Sequence, residues 1–166
     1  MKPWAMGLAG LVVWAAAGAY ASPDDIPRIL LTGDSWSGFM QMFRCIEVNA
    51  ETYPGFEAWG QRGSLTTEFG IRANEFNTAQ YLDAVAAELE AYPTIDIVHL
   101  SLGGNDFLYG GWNAGMSPAE EAALMTSVNS HTEAIMDYIL AIRPNIRLVL
   151  CGYTFRSEEH TSELQS

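Results

Sequence analysis

Basic residues are scarce. Eight Lys and Arg stand against twenty Asp and Glu, leaving a formal charge of -12 over 166 residues. Phosphate backbones are held by Lys and Arg, so this balance argues against a nucleic-acid partner, and it disfavours docking on anionic lipid. Cysteine is nearly absent too: Cys45 and Cys151 are the only two, without metal-ligand spacing. A disulfide between them is permitted in an exported chain, but the pattern reads more simply as two buried free thiols. Histidine occurs three times, at His99, His131 and His160. Beyond the first residues no apolar run is long enough to span a membrane.

The first residues have the pattern of an export leader. Lys2 supplies a positive start, Trp4 to Tyr20 is uncharged and rich in Ala, Gly and Val, and Ala19-Tyr20-Ala21 offers a small-x-small cleavage site. Residues 1–21 are therefore expected to be a signal peptide cleaved after Ala21, placing the mature chain in the periplasm or outside the cell with no remaining span. The far end also departs from the rest. Arg156 to Ser166 matches one reading frame of the adapter DNA ligated to fragments for short-read sequencing, and it starts abruptly after a strand. Residues 156–166 are expected to be a non-native tail, leaving residues 22–155 as one domain that is incomplete at its C-terminus. The acidity belongs to that domain, since leader and tail hold only Lys2, Arg156, Glu158, Glu159 and Glu163.

Within the domain, short apolar runs alternate with helical stripes. Arg28 to Gly33 reads as a buried strand, followed by a helix from Ser35 to about Ile46 with Phe39, Met40 and Phe43 inward. Tyr53-Pro54-Gly55 signals a turn, Phe56 to Trp59 fits a short edge strand, and Gly60 to Thr67 reads as a glycine-bearing loop. Phe76, Ala79, Leu82, Val85 and Leu89 mark a helix over Asn74 to Ala91, ended by Pro93. Ile95 to Leu102 suits a strand covered on both faces. Gly103 to Asp106 closes it, and a Gly- and aromatic-rich loop runs through Phe107, Tyr109 and Trp112. Ser117-Pro118-Ala119-Glu120 is a helix start with cap, first-turn proline and capping-box glutamate. Leu124, Val128, His131, Ile135, Tyr138 and Ile142 mark its inner face, and Ile146 to Cys151 is another buried strand. The alternation predicts an α/β doubly wound parallel sheet with right-handed crossovers.

Three features are expected where strands end, at the edge where open parallel sheets bind ligands: Gly33-Asp34-Ser35, Gly63 in the glycine loop, and Gly103-Gly104-Asn105-Asp106. A serine at a helix start reads first as a cap. Beside backbone N–H groups and an asparagine amide it also has what acyl transfer needs: a hydroxyl nucleophile and donors for the oxyanion.

These motifs, in this order, resemble the SGNH or GDSL-type hydrolases, esterases and lipases on a flavodoxin-like three-layer α/β/α sandwich. The resemblance covers about Arg28 to Tyr153. It implies Ser35 as nucleophile and oxyanion donor, with the Asn105 amide and the Gly63 N–H completing the oxyanion hole. Gly33, Asp34, Gly103, Gly104 and Asp106 support the motifs, and Gly60 is a second choice for the glycine. The implied activity is a secreted serine esterase working through an acyl-enzyme on Ser35, without metal or organic cofactor. Its substrate would be a small-molecule, carbohydrate or lipid ester. Trp36 and the Phe107 to Trp112 loop could line the substrate pocket or simply cover the sheet end. A non-catalytic carbohydrate-binding or cell-surface module on the same fold is the alternative, and an acyltransferase using Ser35 is a third possibility.

The family's fourth element, Asp-x-x-His near the C-terminus, has no counterpart in the expected place. Asp96-Ile97-Val98-His99 has the spelling but lies inside a buried strand ahead of the Asn105 block, so His99 reads as a satisfied core histidine. His131 falls on a helix stripe and His160 in the tail. Without a base, a serine keeps only the oxyanion contribution. The 166-residue chain is accordingly expected to show little esterase activity on p-nitrophenyl acetate. Normal Ser35-dependent turnover of that ester would refute the expectation.

Overall fold

Residues 27–52 and 63–151 are described in the computed structural model. Leader, tail, the Tyr53-Pro54-Gly55 turn, the Phe56 to Trp59 segment, Gly60 and His160 all lie outside these residues. Among the described residues four strands form one sheet: β1 (Ile29–Gly33), β2 (Ser64–Thr67), β3 (Ile97–Ser101) and β4 (Arg147–Cys151). All pairings are parallel, in the order β2-β1-β3-β4, the flavodoxin-like order of a doubly wound sheet. The chain leaves β1 in one direction to reach β2 and returns past it to β3. With crossovers of one hand, its helices then fall on opposite faces. The order reverses between β1 and β3, so the crevice at their carboxyl ends is the place such a sheet offers a ligand.

Strand alternation divides the core. Leu30, Val98 and Leu100 turn to the face packed by α4 (Ala79–Ala91) and α6 (Pro118–Ile142), meeting Val85, Leu89, Ile135 and Ile139 in one cluster. Leu31 turns to the other face, toward α1 (Ser35–Met42) and α2 (Cys45–Thr52), where its side chain and that of Ile46 converge on Gly63. At Gly63 an added Cβ would come within 2.9 Å of the Ile29 carbonyl oxygen.

The anticipated first helix is two helices, broken at Phe43 and Arg44, where Arg44 takes φ 54°. The break turns Phe43 outward, 67% exposed, rather than into the core. Residues read as a loop contain β2, because Leu65, Thr66 and Thr67 find an open side on β1. The second stripe is also split. α3 (Ala73–Phe76) ends at Asn77, and Thr78 restarts the chain as the extended N-cap of α4. Phe76, Val85 and Leu89 are buried as expected, while the phase change leaves Ala79 exposed. The glycine-aromatic loop opens with a helical turn, α5 (Gly104–Leu108).

Ser117 and Glu120 form the anticipated capping box, the Glu120 carboxylate accepting from the Ser117 N–H at 2.8 Å. The buried stripe of α6 is Val128, Thr132, Ile135 and Ile139; His131 and Tyr138 sit at its border and Ile142 is exposed. β4 is not buried. Among the described residues it pairs with β3 alone, and Val149 and Leu150 remain 46% and 47% exposed on its two faces. An apolar run reports strand length but not what covers the strand. Both cysteines are free, and neither is buried: Cys45 is half-buried at the start of α2 and Cys151 is exposed at the end of β4.

Phe76 is fully buried and stacks on Tyr81 at 5.3 Å. Phe76→Ala should cost about 3–5 kcal/mol, read as a lowered urea midpoint. Phe43→Ala should stay within about 0.5 kcal/mol of the parent; a large loss there would refute the break between α1 and α2.

Candidate active site

The turn from β1 into α1 is built on contacts that reach three strands. Gly33 takes φ +114°, and a Cβ there would lie 2.0 Å from the Ser101 carbonyl oxygen. Only glycine allows this approach, and it lets the Asp34 N–H donate to that oxygen at 2.8 Å. The Asp34 side chain, 0% exposed, accepts from the Trp36 N–H at 3.0 Å and from the Ser101 hydroxyl at 2.8 Å. Asp34, not Ser35, is therefore the N-cap of α1. Ser37 donates its hydroxyl back to the Thr32 carbonyl at 2.6 Å, and the Thr67 hydroxyl ties β2 to the Gly33 carbonyl at 2.9 Å. The Glu68 N–H donates to the same Gly33 oxygen at 3.1 Å. Losing a buried partner of this kind costs about 1–3 kcal/mol. Relieved of capping, Ser35 stands half-exposed as the first residue of α1, at the sheet's carboxyl edge.

Gly103, at φ +102°, turns the chain out of β3 and caps α5. Its neighbours Gly104, Asn105 and Asp106 are buried in the first turn of that helix. Asn105 donates its side-chain amide to the Ile71 carbonyl at 2.9 Å, and the Ala73 N–H donates to the Asp106 carboxyl at 2.9 Å. Both side chains of the motif thus hold the backbone that follows β2. Burial pushes the Asp106 carboxyl above the usual aspartate range, against the opposing pull of the Ala73 and its own N–H groups.

Gly63 does not join this edge. It precedes β2, and Ser64 pairs with Leu30 near the amino end of β1, whereas Thr67 pairs with Gly33. Four strand residues, about 13 Å at 3.3 Å each, separate it from the Ser35 turn. The glycine that does follow β2 at the carboxyl edge is Gly70, at φ +81° with open space where a Cβ would be. Reading Leu65-Thr66-Thr67 as a strand would have identified it, as the β-branched run followed by a glycine resembles the step from β3 to Gly103.

Among the described residues, no histidine is bonded to Ser35. His99 sits mid-strand, in register between Leu31 and Val149, where burial pushes its imidazole below the usual histidine range. Its Nδ1 has no hydrogen-bond partner among the described residues, so it is not the satisfied histidine expected. Asp96 lies at the opposite end of the sheet, bonded to Arg28, with Arg147 at 3.4 Å. Burial alone would raise that carboxyl, but the guanidinium of Arg28 outweighs it and holds Asp96 low. His131 Nδ1 faces the Asn77 amide at 3.1 Å. Trp36 is exposed and edge-on to Phe39, and Tyr109 and Trp112 are exposed as well. None of these three rings forms a buried cover over the sheet end.

Comparison with solved structures finds similarity to a carbohydrate esterase family 3 protein from Talaromyces cellulolyticus, at 16% identity and a TM-score of 0.44. The match covers 75% of this chain and 60% of that one. No protein-family model and no curated protein matches.

The raised Asp106 carboxyl carries a definite sign. The folded state holds this proton more tightly than the unfolded chain, so stability falls as pH rises from the ordinary aspartate range through the higher folded value. Asp106→Asn keeps an acceptor for the Ala73 N–H and removes the ionisation. Its urea stability relative to the parent should rise with pH across that acid window and then level off. A pH-independent difference would refute the assignment.

Proposed function

We propose that this chain carries the nucleophile and oxyanion half of a secreted serine ester hydrolase. Ser35 attacks the ester carbonyl and becomes acylated, the alcohol leaves, and water completes hydrolysis. The developing oxyanion is met by the Ser35 and Gly70 N–H groups and by the second N–H of the Asn105 amide, whose first goes to the Ile71 carbonyl. The observation that carries the reading is the Asp34 cap. It satisfies the helix start, ties it to Ser101, and leaves Ser35 free of the capping role as the first residue of α1, directly after β1. Gly33, Gly103 and Gly104 let the backbone turn there, and Asp106 braces the strand-two loop beside Asn105. Export is part of the proposal and is supported by the leader pattern of residues 1–21. The general base and the acid that orients it belong to a part of the protein outside the described residues.

The test supplies the base from solution. Incubation with p-nitrophenyl acetate and imidazole should give a chain heavier by one acetyl group, mapped to Ser35 by peptide mass spectrometry and absent from Ser35→Ala. Oxyanion donors alone sustain about 10³–10⁴-fold catalysis over water in studied serine hydrolases, so Asn105→Ala should slow this acetylation by about 10²-fold or more. Acetylation spread over lysines and equal in Ser35→Ala would sink the proposal.

A further inference from the structure

We propose that the hollow beside Gly70, at the carboxyl edge of β2, is a subsite for an uncharged, hydroxyl-bearing sugar ring. The inference rests on the esterase reading above and names the part of the ester substrate that the site holds. The hollow has a volume of about 300 Å³ and is lined by Glu68, Phe69, Gly70, Ile71, Glu75 and Tyr81. That lies at the small end of ligand pockets, which begin near about 300 Å³, so one ring fits better than an extended chain.

Its walls have two kinds of surface. Phe69 is 60% exposed although its ring is held from behind. Phe39 meets it edge-on at 5.6 Å, and at Gly38 even a Cβ would come to 3.4 Å of the ring. The result is a fixed apolar platform with an open side, suited to the C–H face of a pyranose. Tyr81 is anchored by stacking on the buried Phe76, and its hydroxyl donates to one Glu68 oxygen. Burial and the Glu68 carboxylate push the Tyr81 hydroxyl up to about 12, so it remains a donor across the working range. The second Glu68 oxygen has no partner among the described residues and is available to accept from a sugar hydroxyl. Glu75 is already engaged by Arg72 through both oxygens, and the guanidinium offsets its charge, so it is not the acceptor proposed for the sugar.

That chemistry separates ligand classes. An alkyl chain against this wall would strip water from Glu68 and return no hydrogen bond, which is costly. A uronate would bring a carboxylate against Glu68 in a chain of formal charge -12. A neutral sugar meets both the ring platform and the acceptor.

Binding can be read without turnover in full-length Ser35→Ala, by NMR titration with cellotriose, trigalacturonate and hexanol as neutral, anionic and alkyl probes. Cellotriose is expected to shift the Glu68, Phe69 and Gly70 amides. Glu68→Ala and Phe69→Ala should each weaken it by about tenfold, with thermal midpoints near the parent's because both side chains are exposed. Trigalacturonate should bind more weakly, by a margin that narrows in Glu68→Gln. Equal binding of the two sugars, hexanol mapping to these amides in place of cellotriose, or unchanged affinity in both alanine variants would each overturn the proposal. Failed acetylation at Ser35 would refute the esterase reading while leaving this binding result intact, so the two failures are distinguishable.

Discussion

A carboxyl group with no exposure to water holds the carboxyl edge of the sheet together. Asp34 receives the N–H of Trp36, in the first turn of α1, and the hydroxyl of Ser101 on one oxygen, while its own N–H goes to the Ser101 backbone. A buried polar group left unpaired is expensive, so the surroundings must supply these partners together. They can do so only if Gly33 lets the backbones of β1 and β3 come close enough. One interaction thereby sets the start of a helix, the spacing of two strands and the position of the next residue, Ser35.

The second half of the edge follows the same logic with the roles reversed. Around Asp34, backbone and side-chain donors converge on a buried acid; at Asn105 and Asp106, buried side chains reach out to backbone. They fasten the Ile71 carbonyl and the Ala73 N–H, and so brace the segment that carries Gly70. Three strand ends are linked in this way, with Thr67 joining β2 to the Gly33 turn. Rigid donors are what the proposed oxyanion site requires, since preorganised dipoles need not reorient as charge develops. The cost is a buried acid, Asp106, whose ionisation the fold opposes.

Much of this was legible along the chain. Gly33-Asp34-Ser35 and Gly103-Gly104-Asn105-Asp106 each follow an apolar run, and both lie at carboxyl strand ends. The capping box at Ser117 and Glu120 is equally local and formed as read. Less legible were features that depend on a neighbour. Thr66 and Thr67 are polar enough to pass for loop, yet β1 offered them an unpaired edge. Phe43 fits a helical stripe, but the turn at Arg44 ends the helix that would have buried it. In α6 the buried stripe is centred on Thr132 and Ile139 rather than His131 and Tyr138, because α3 and α4 approach from that side.

By itself, then, the sequence determined the class of fold, the two motif turns and the residue types available for chemistry. Periodicity, glycine placement and capping signals are properties of a few consecutive residues and need no tertiary partner. Tertiary structure alone decided that Asp34 rather than Ser35 caps α1, that Gly63 lies at the amino end of β2, and that Gly70 follows its carboxyl end. Each outcome turns on register and on which buried group finds a donor. Those depend on residues brought together from Thr32, Thr67 and Ser101, positions whose proximity no local pattern can express.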